Sequence, residues 1–174
     1  IETLGAWAGS HGVELVQIVA SERRVFPLAE AAASDLVIAL GGDGTALTAL
    51  RAAEPVRAAV LAVACGSVGA LSTVTAGELG DALDRVRAGD WARCTVPALA
   101  VSTPEGKTAI ALNDVVLVRR GSGQLVAEIA LDGETYVRLA GDGVIVATAL
   151  GSSGYTMAAG GPLLTLRTAA FVCT

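Results

Sequence analysis

Apolar residues along this chain fall into short runs that change character near the middle. In the first half, near-continuous apolar runs alternate with Ala/Leu-rich segments. "VELVQIVA" (13–20), "DLVIAL" (35–40) and "RAAVLAVA" (57–64) predict strands. The last two lack polar alternation, as strands covered on both faces do. Between and after them, "PLAEAAA" (27–33), "TALTALRAAE" (45–54) and "AGELGDALDRVRAGD" (76–90) predict helices. In the third of these, Leu79, Leu83 and Val86 recur at helical spacing. This β-α-β-α order predicts a mostly parallel sheet.

From about Asp90 to Arg93 onward the pattern becomes that of antiparallel strands. Pro104-Glu105-Gly106 is a turn between two strand-like runs, and Asp132-Gly133 is a tight hairpin signal. Gly141-Asp142-Gly143 marks a further turn. "SSGYTMAAGG" (152–161) predicts a last helix, and "AAFVCT" a strand cut short. The expected division is 1–92 as an α/β nucleotide- and phosphate-binding domain and 93–174 as a β-rich substrate-binding domain. With Ile1 rather than Met at the start, the chain reads as a partial view of a longer protein.

Composition narrows the classes of partner. The chain has 174 residues, 53% of them hydrophobic, enough for a real core. A net charge of -5 argues against nucleic acid as the main partner. Mean hydropathy is +0.61, but no apolar run approaches the roughly 18 residues of a membrane span, and no secretory signal is visible. The expected location is the cytoplasm. Cys65, Cys94 and Cys173 fit neither a disulfide framework nor zinc spacing, and buried free thiols are the expectation. His11, the single histidine, falls in an expected surface turn, which disfavours Ser-His or Cys-His catalysis. Lys107 is the single lysine, far from the glycines described next, so a Walker-type phosphate lysine is missing.

Three stretches carry candidate chemistry. In the first, strand 35–40 runs into Gly41-Gly42-Asp43-Gly44-Thr45. Glycine lets a ligand approach the backbone, and a following helix N-terminus offers N–H groups to an anion. Asp43 would repel phosphate, unless it accepts a proton or helps hold a cation beside it. The alternative is an ordinary tight turn with a capping Asp. In the second, Asn113-Asp114 heads a strand; an amide beside a carboxylate can grip a vicinal diol such as a ribose, or be a polar strand entry. In the third, glycines at 141, 143, 151, 154, 160 and 161 frame a strand, a hydroxyl-rich turn and a helix. Thr148, Ser152, Ser153 and Tyr155 can line a polar ligand there, or Ser can cap a helix with Tyr buried.

Taken together, these stretches resemble the NAD kinase family. That family carries GGDGT, then an Asn-Glu/Asp pair, then a segment like D-G-[VLI]-[IV]-[VI]-S-T-P-T-G-S-T-A-Y-x-x-S-A-G-G-P. The counterparts here are GGDGT (41–45), ND (113–114) and DGVIVATALGSSGYTMAAGGP (142–162), in the same order. GGDGT also occurs in diacylglycerol-type and sphingosine-type lipid kinases; the third motif separates them.

The resemblance implies an N-terminal Rossmann-like parallel α/β domain followed by an antiparallel β-rich domain. It also implies phosphorylation of the 2′-hydroxyl on the adenosine ribose of NAD(H), from ATP or polyphosphate with Mg²⁺ or another divalent cation, in a homodimer or homotetramer. By position, Asp43 corresponds to the general base, and Gly41, Gly42, Gly44 and Thr45 to the phosphate-approach loop. Asn113 and Asp114 correspond to the pair holding the dinucleotide, and Asp142 to the carboxylate near the nicotinamide end. Ser153, Gly154 and Tyr155 correspond to the wall around adenosine and ribose. No residue is assigned as a metal ligand.

The family's G-x-N-x-G-x-L-G-F-L segment reads "AVACGSVGALS" here, with Ala62, Ala64 and Ala70 where Gly, Asn and Phe are usual. Ala149-Leu150 replaces Pro-Thr, Gly154 replaces Ala, and Asp114 is one methylene shorter than the commoner Glu. Phosphate and ribose machinery is thus retained while the base-recognition wall is thinned. A kinase of the same fold acting on another nucleoside, sugar or alcohol, and a non-catalytic nucleotide-binding protein, are the alternatives.

Overall fold

A computed structural model describes residues 1–18 and 35–174. These divide into two compact units, Ile1–Arg93 and Cys94–Thr174. The predicted helix 27–33 lies outside the described residues.

In the first unit, β1 (Leu36–Gly41), β2 (Ala59–Ala64) and the two-residue β3 (Val74–Thr75) form a parallel sheet in that order. The β1–β2 register runs from Leu36 opposite Ala59 to Gly41 opposite Ala64. Side chains alternate across the sheet, and the two faces differ in size. Leu36, Ile38, Leu40, Leu61 and Val63 gather on one face with Leu79 and Leu83 of α3 (Leu79–Arg87) and Leu4 and Trp7 of α1 (Glu2–His11). On the other face Ala39 and Ala62 pack with Ala46 and Ala49 of α2 (Asp43–Ala53) and with Leu71. Alanine on both partners lets α2 lie close to the strands whose ends it connects.

The Ala/Leu-rich stretch forms α2 as predicted, and 76–90 forms a 3-10 turn (Ala76–Glu78) followed by α3. A capping box starts that turn: Thr75 N and Oγ1 donate to Glu78 Oε2 at 2.8 and 2.7 Å. These bonds, the backbone one first, hold the Glu78 carboxyl below its ordinary pKa.

Two expectations fail near the N-terminus. Residues 13–18 of the predicted strand 13–20 carry no regular structure and are mostly exposed, and residues 19 and 20 lie outside the described residues. His11 is not in a surface turn but ends α1, its ring stacked on Trp7 at 4.5 Å between centroids. Trp7 Nε1 in turn donates to Asp84 Oδ1 on α3 at 2.6 Å. Gly12, at φ 64°, closes the helix in the left-handed conformation.

The second unit is antiparallel. β4 (Leu99–Ser102) and β5 (Thr108–Ala111) form a hairpin around Pro104-Glu105-Gly106. β7 (Leu125–Leu131) and β8 (Glu134–Gly141) form another, with Asp132 at φ 52° and Gly133 at φ 87°, the paired positive φ of a type I′ turn. β6 (Asp114–Val118) and β10 (Val172–Cys173) flank β9 (Gly143–Ala147). The most buried stretch runs from the end of β9 through Ser152.

The predicted helix 152–161 is shorter than expected: a 3-10 turn, Gly151–Ser153, then one helical turn, α4 (Tyr155–Ala158). Gly154 leaves the helical region at φ -99° and ψ -120°, and Gly160 at φ 86° ends the element. All three cysteines are exposed rather than buried: Cys65 lies just past β2, Cys94 in irregular chain, and Cys173 on the short β10.

Candidate functional site

Parallel strands bring the chain segments after their C-terminal ends side by side, and in α/β sheets ligands bind at that edge. Here the segments are the end of β1 running into Gly42–Thr45, and 65–72 after β2. Gly42 is the N-cap of α2, its carbonyl accepting the N–H groups of Thr45 and Ala46 at 3.0 and 3.1 Å. The first N–H groups of the helix are left without intrahelical partners, and such groups can receive an anion.

The glycines of this loop divide by cause. A Cβ on Gly41 would overlap the Thr45 hydroxyl, so packing alone excludes a side chain there. Cβ atoms on Gly42 or Gly44 would meet nothing within 4 Å, and neither has a positive φ. Among the described residues packing gives no reason for glycine at 42 and 44, and the missing side chains leave the backbone there open.

Asp43 opens α2 and is half-buried. Its Oδ2 accepts the N–H of Ala70, and its Oδ1 the N–H of Leu71, each at 3.0 Å. Neither contact was foreseen from the sequence, since backbone donors 27 and 28 residues away have no side-chain signature. The ionised carboxylate offers about four acceptor positions on its two oxygens. The loop takes one on each, which leaves both oxygens able to accept a further proton donor.

In the second unit two predicted stretches meet. Asp114 pairs with Ala147 in the β6–β9 ladder, and the Asn113 carbonyl accepts the Thr148 N–H at 2.8 Å. A Cβ on Gly151 would overlap that same carbonyl. The side-chain Oδ1 of Asn113 is buried with no hydrogen-bond partner among the described residues. An unpaired buried acceptor is costly, and a ligand donor would satisfy it.

Thr148 and Ser152 are fully buried and do not line a ligand surface. Thr148 Oγ1 donates to Leu112 O at 2.6 Å and accepts Gly151 N at 3.1 Å. Ser152 Oγ donates to Ala149 O at 2.6 Å and accepts Leu164 N at 2.9 Å. They brace the turn from inside. Ser153, Gly154 and Tyr155 are exposed, Tyr155 at 55%, so a buried Tyr is excluded and its ring is open to a ligand.

Asp142 lies at the opposite end of the β6–β9 pair from Asn113-Asp114, since Gly143 pairs with Val118. Four strand residues span roughly 14 Å. Asp142 is nearly fully exposed and holds Arg119, whose Nε donates to Oδ1 at 2.8 Å; the Arg119 N–H meets the Asp142 carbonyl at 3.0 Å. Arg119 was not singled out in the sequence. No group of three or more His, Cys, Asp or Glu side chains placed to hold a metal ion occurs among the described residues. No described helix is long and apolar enough to cross a membrane.

Two family models match the chain: the ATP-NAD kinase N-terminal domain over residues 9–91 and the ATP-NAD kinase C-terminal domain over residues 112–174. The chain belongs to the ATP-NAD kinase family. An NAD kinase of Koribacter versatilis is 36% identical over 186 residues, covering 100% of this chain and 65% of that relative. One from Methanothermobacter thermautotrophicus is 36% identical over 140 residues, covering 80% of this chain and 49% of its own length. The chain therefore spans between about half and two thirds of these curated relatives. Among solved structures, yeast NADH kinase complexed with NADH is similar at TM-score 0.67 and 28% identity, over 81% of this chain and 43% of that one. An Archaeoglobus fulgidus NAD kinase in complex with ATP shares the fold at TM-score 0.76 and 24% identity, over 99% of this chain and 66% of that one. Within the ATP-NAD kinase family, then, the parallel first unit and antiparallel second unit are the expected architecture, and GGDGT sits on its strand-to-helix turn.

Proposed function

We propose that the protein is a kinase that phosphorylates the 2′-hydroxyl on the adenosine ribose of NAD(H), with ATP or polyphosphate as donor. The observation that carries this reading is Asp43: one carboxylate at a helix N-terminus, between glycines at 42 and 44 that packing does not require, in a chain of this family. Residues 1–92 are read as the nucleotide- and phosphate-binding domain and 93–174 as the substrate-binding one.

Phosphoryl transfer needs in-line positioning, charge neutralisation and a proton acceptor more than covalent help from protein. In this reading the loop of Gly41, Gly42, Gly44 and Thr45 receives phosphate oxygens, its backbone left open at Gly42 and Gly44. Asp43 takes the proton of the acceptor hydroxyl at a carboxylate oxygen; the loop bonds hold that oxygen's direction. Asn113 and Asp114 grip the dinucleotide, the unpaired Asn113 Oδ1 accepting from a ligand hydroxyl or amide. Ser153, Gly154 and Tyr155 form the wall around adenosine and ribose, and Asp142 with Arg119 forms a polar end for the nicotinamide side. A divalent cation bound with the phosphate donor would supply charge neutralisation.

A second reading keeps the reaction and changes the acceptor to another nucleoside, sugar or alcohol. It is favoured by Ala70, an exposed small residue whose own N–H bonds Asp43. The proposed assembly is a homodimer or homotetramer, checked by light scattering at micromolar concentration, and the proposed location is the cytoplasm. Incubation with ATP, Mg²⁺ and a panel of NAD, NADH and simple nucleosides, with products identified by mass, separates the readings. Phosphorylated NAD or NADH supports the first, and phosphorylation of another acceptor alone supports the second.

A further inference from the structure

We infer that Gly69 is a positioning residue for Asp43. A Cβ at residue 69 would overlap the Asp43 carboxylate, reaching both oxygens and the carbon between them. Gly69 does not have a positive φ, so a left-handed backbone is not what calls for glycine there. The missing side chain is therefore required by Asp43 itself. It allows the two N–H groups that follow, those of Ala70 and Leu71, to reach both carboxylate oxygens. Consecutive backbone N–H groups aimed at one anion make a small concave site for it.

The loop carrying these donors is itself fixed in three ways. Ser72 closes it, its hydroxyl accepting the Gly69 N–H at 3.2 Å while its own N–H reaches the Gly69 carbonyl at 3.4 Å. Leu71 packs on the alanine face formed by Ala39, Ala46 and Ala62. Thr73 N–H bonds the Ala62 carbonyl at 2.8 Å. A rigid loop gripping both oxygens holds Asp43 in one rotamer, so the direction in which it accepts a proton is set before substrate arrives.

The functional half of this inference rests on Asp43 being the proton acceptor; the structural half does not. The test is a cycle of Gly69→Ala, Asp43→Ala and the double variant, read by thermal unfolding and by turnover. Gly69→Ala alone should lower Tm by roughly 3–10 °C, the cost of overpacking at this chain length. On the Asp43→Ala background it should cost nothing, because the atoms it would overlap are gone. If Gly69→Ala alone does not accumulate as folded protein, its recovery by Asp43→Ala is the same result. An equal loss in both backgrounds, or no recovery, overturns the inference.

For turnover with NAD and ATP, Gly69→Ala should lower kcat by about 10²-fold, as misplacement of a reacting group does, with the Kd for NAD little changed. A rise in KM at unchanged kcat would overturn the positioning role. A wild-type protein inactive on NAD that still shows the coupled Tm behaviour would refute the proposed function and leave the structural half standing.

Discussion

Asp43→Asn tests the proton-acceptor assignment, and the bonds at Asp43 change what the substitution should do. Asparagine keeps the shape and one carbonyl oxygen, so one of the two loop N–H groups, from Ala70 or Leu71, keeps its acceptor. The other then faces the Asn NH₂, donor against donor. One charge-assisted bond is lost and the second becomes neutral. Such bonds are worth about 1.5–3 kcal/mol when buried, and about 1–2 kcal/mol is reasonable at this half-exposed site. At 2–4 °C per kcal/mol for a chain of this size, Tm should fall by about 2–8 °C. Loss of general-base assistance should lower kcat by about 10²–10⁴-fold. Nucleotide binding should survive, since Asn also removes repulsion with phosphate. The assay is steady-state formation of NADP by a coupled NADP-specific dehydrogenase, with binding by calorimetry and unfolding by scanning calorimetry. If Asp43 merely ties the loop, Tm falls and turnover does not. Retention of more than about half of wild-type turnover would refute the base assignment.

Ala70→Phe should lower the KM for NAD by up to about tenfold with little change in kcat, matching the 0.5–1.5 kcal/mol of a buried aromatic contact; abolished activity would instead favour a differently shaped acceptor. Thr148→Val leaves the Leu112 carbonyl and Gly151 N–H without their partner, at about 1–3 kcal/mol for each buried group. Denaturant titration should therefore show Thr148→Val clearly destabilised and Thr148→Ser much less so. The Thr75–Glu78 box stabilises the start of α3 only while Glu78 is ionised, because Glu78 is held below its ordinary pKa. Its contribution is full above the ordinary carboxylate range and is lost as pH falls through the lowered value. A pH series of unfolding midpoints should thus converge for wild type and Glu78→Ala at low pH.

Much of the fold is legible because local signals and tertiary packing agree. Strands β1 and β2 are apolar throughout because both faces are covered, one by large side chains and one by alanine. Asp132-Gly133 and Pro104-Glu105-Gly106 set their hairpins by turn chemistry alone. Helix α1 was not legible: Gly5 and Gly9 weaken its propensity, and it is held by Leu4 and Trp7 packing on the core and by Trp7 bonding Asp84. In the site, Asp43 and the glycines around it stand out by type and spacing. The grip of residues 69–71 on Asp43 does not, because its donors are backbone groups and its requirement is an absent side chain. Residue type also misled at Thr148 and Ser152, whose hydroxyls suggest a ligand wall but brace a buried turn.

Transfer of phosphate to the adenosine 2′-hydroxyl of NAD is the central claim, and locating the phosphate in the product tests it most directly. The protein is incubated with NAD, ATP and Mg²⁺, and the purified product is examined by ³¹P–¹H correlation spectroscopy. The account predicts a new phosphomonoester coupled to the C2′ proton of the adenosine ribose. A phosphate on another hydroxyl, or no phosphorylated dinucleotide at all, would contradict it.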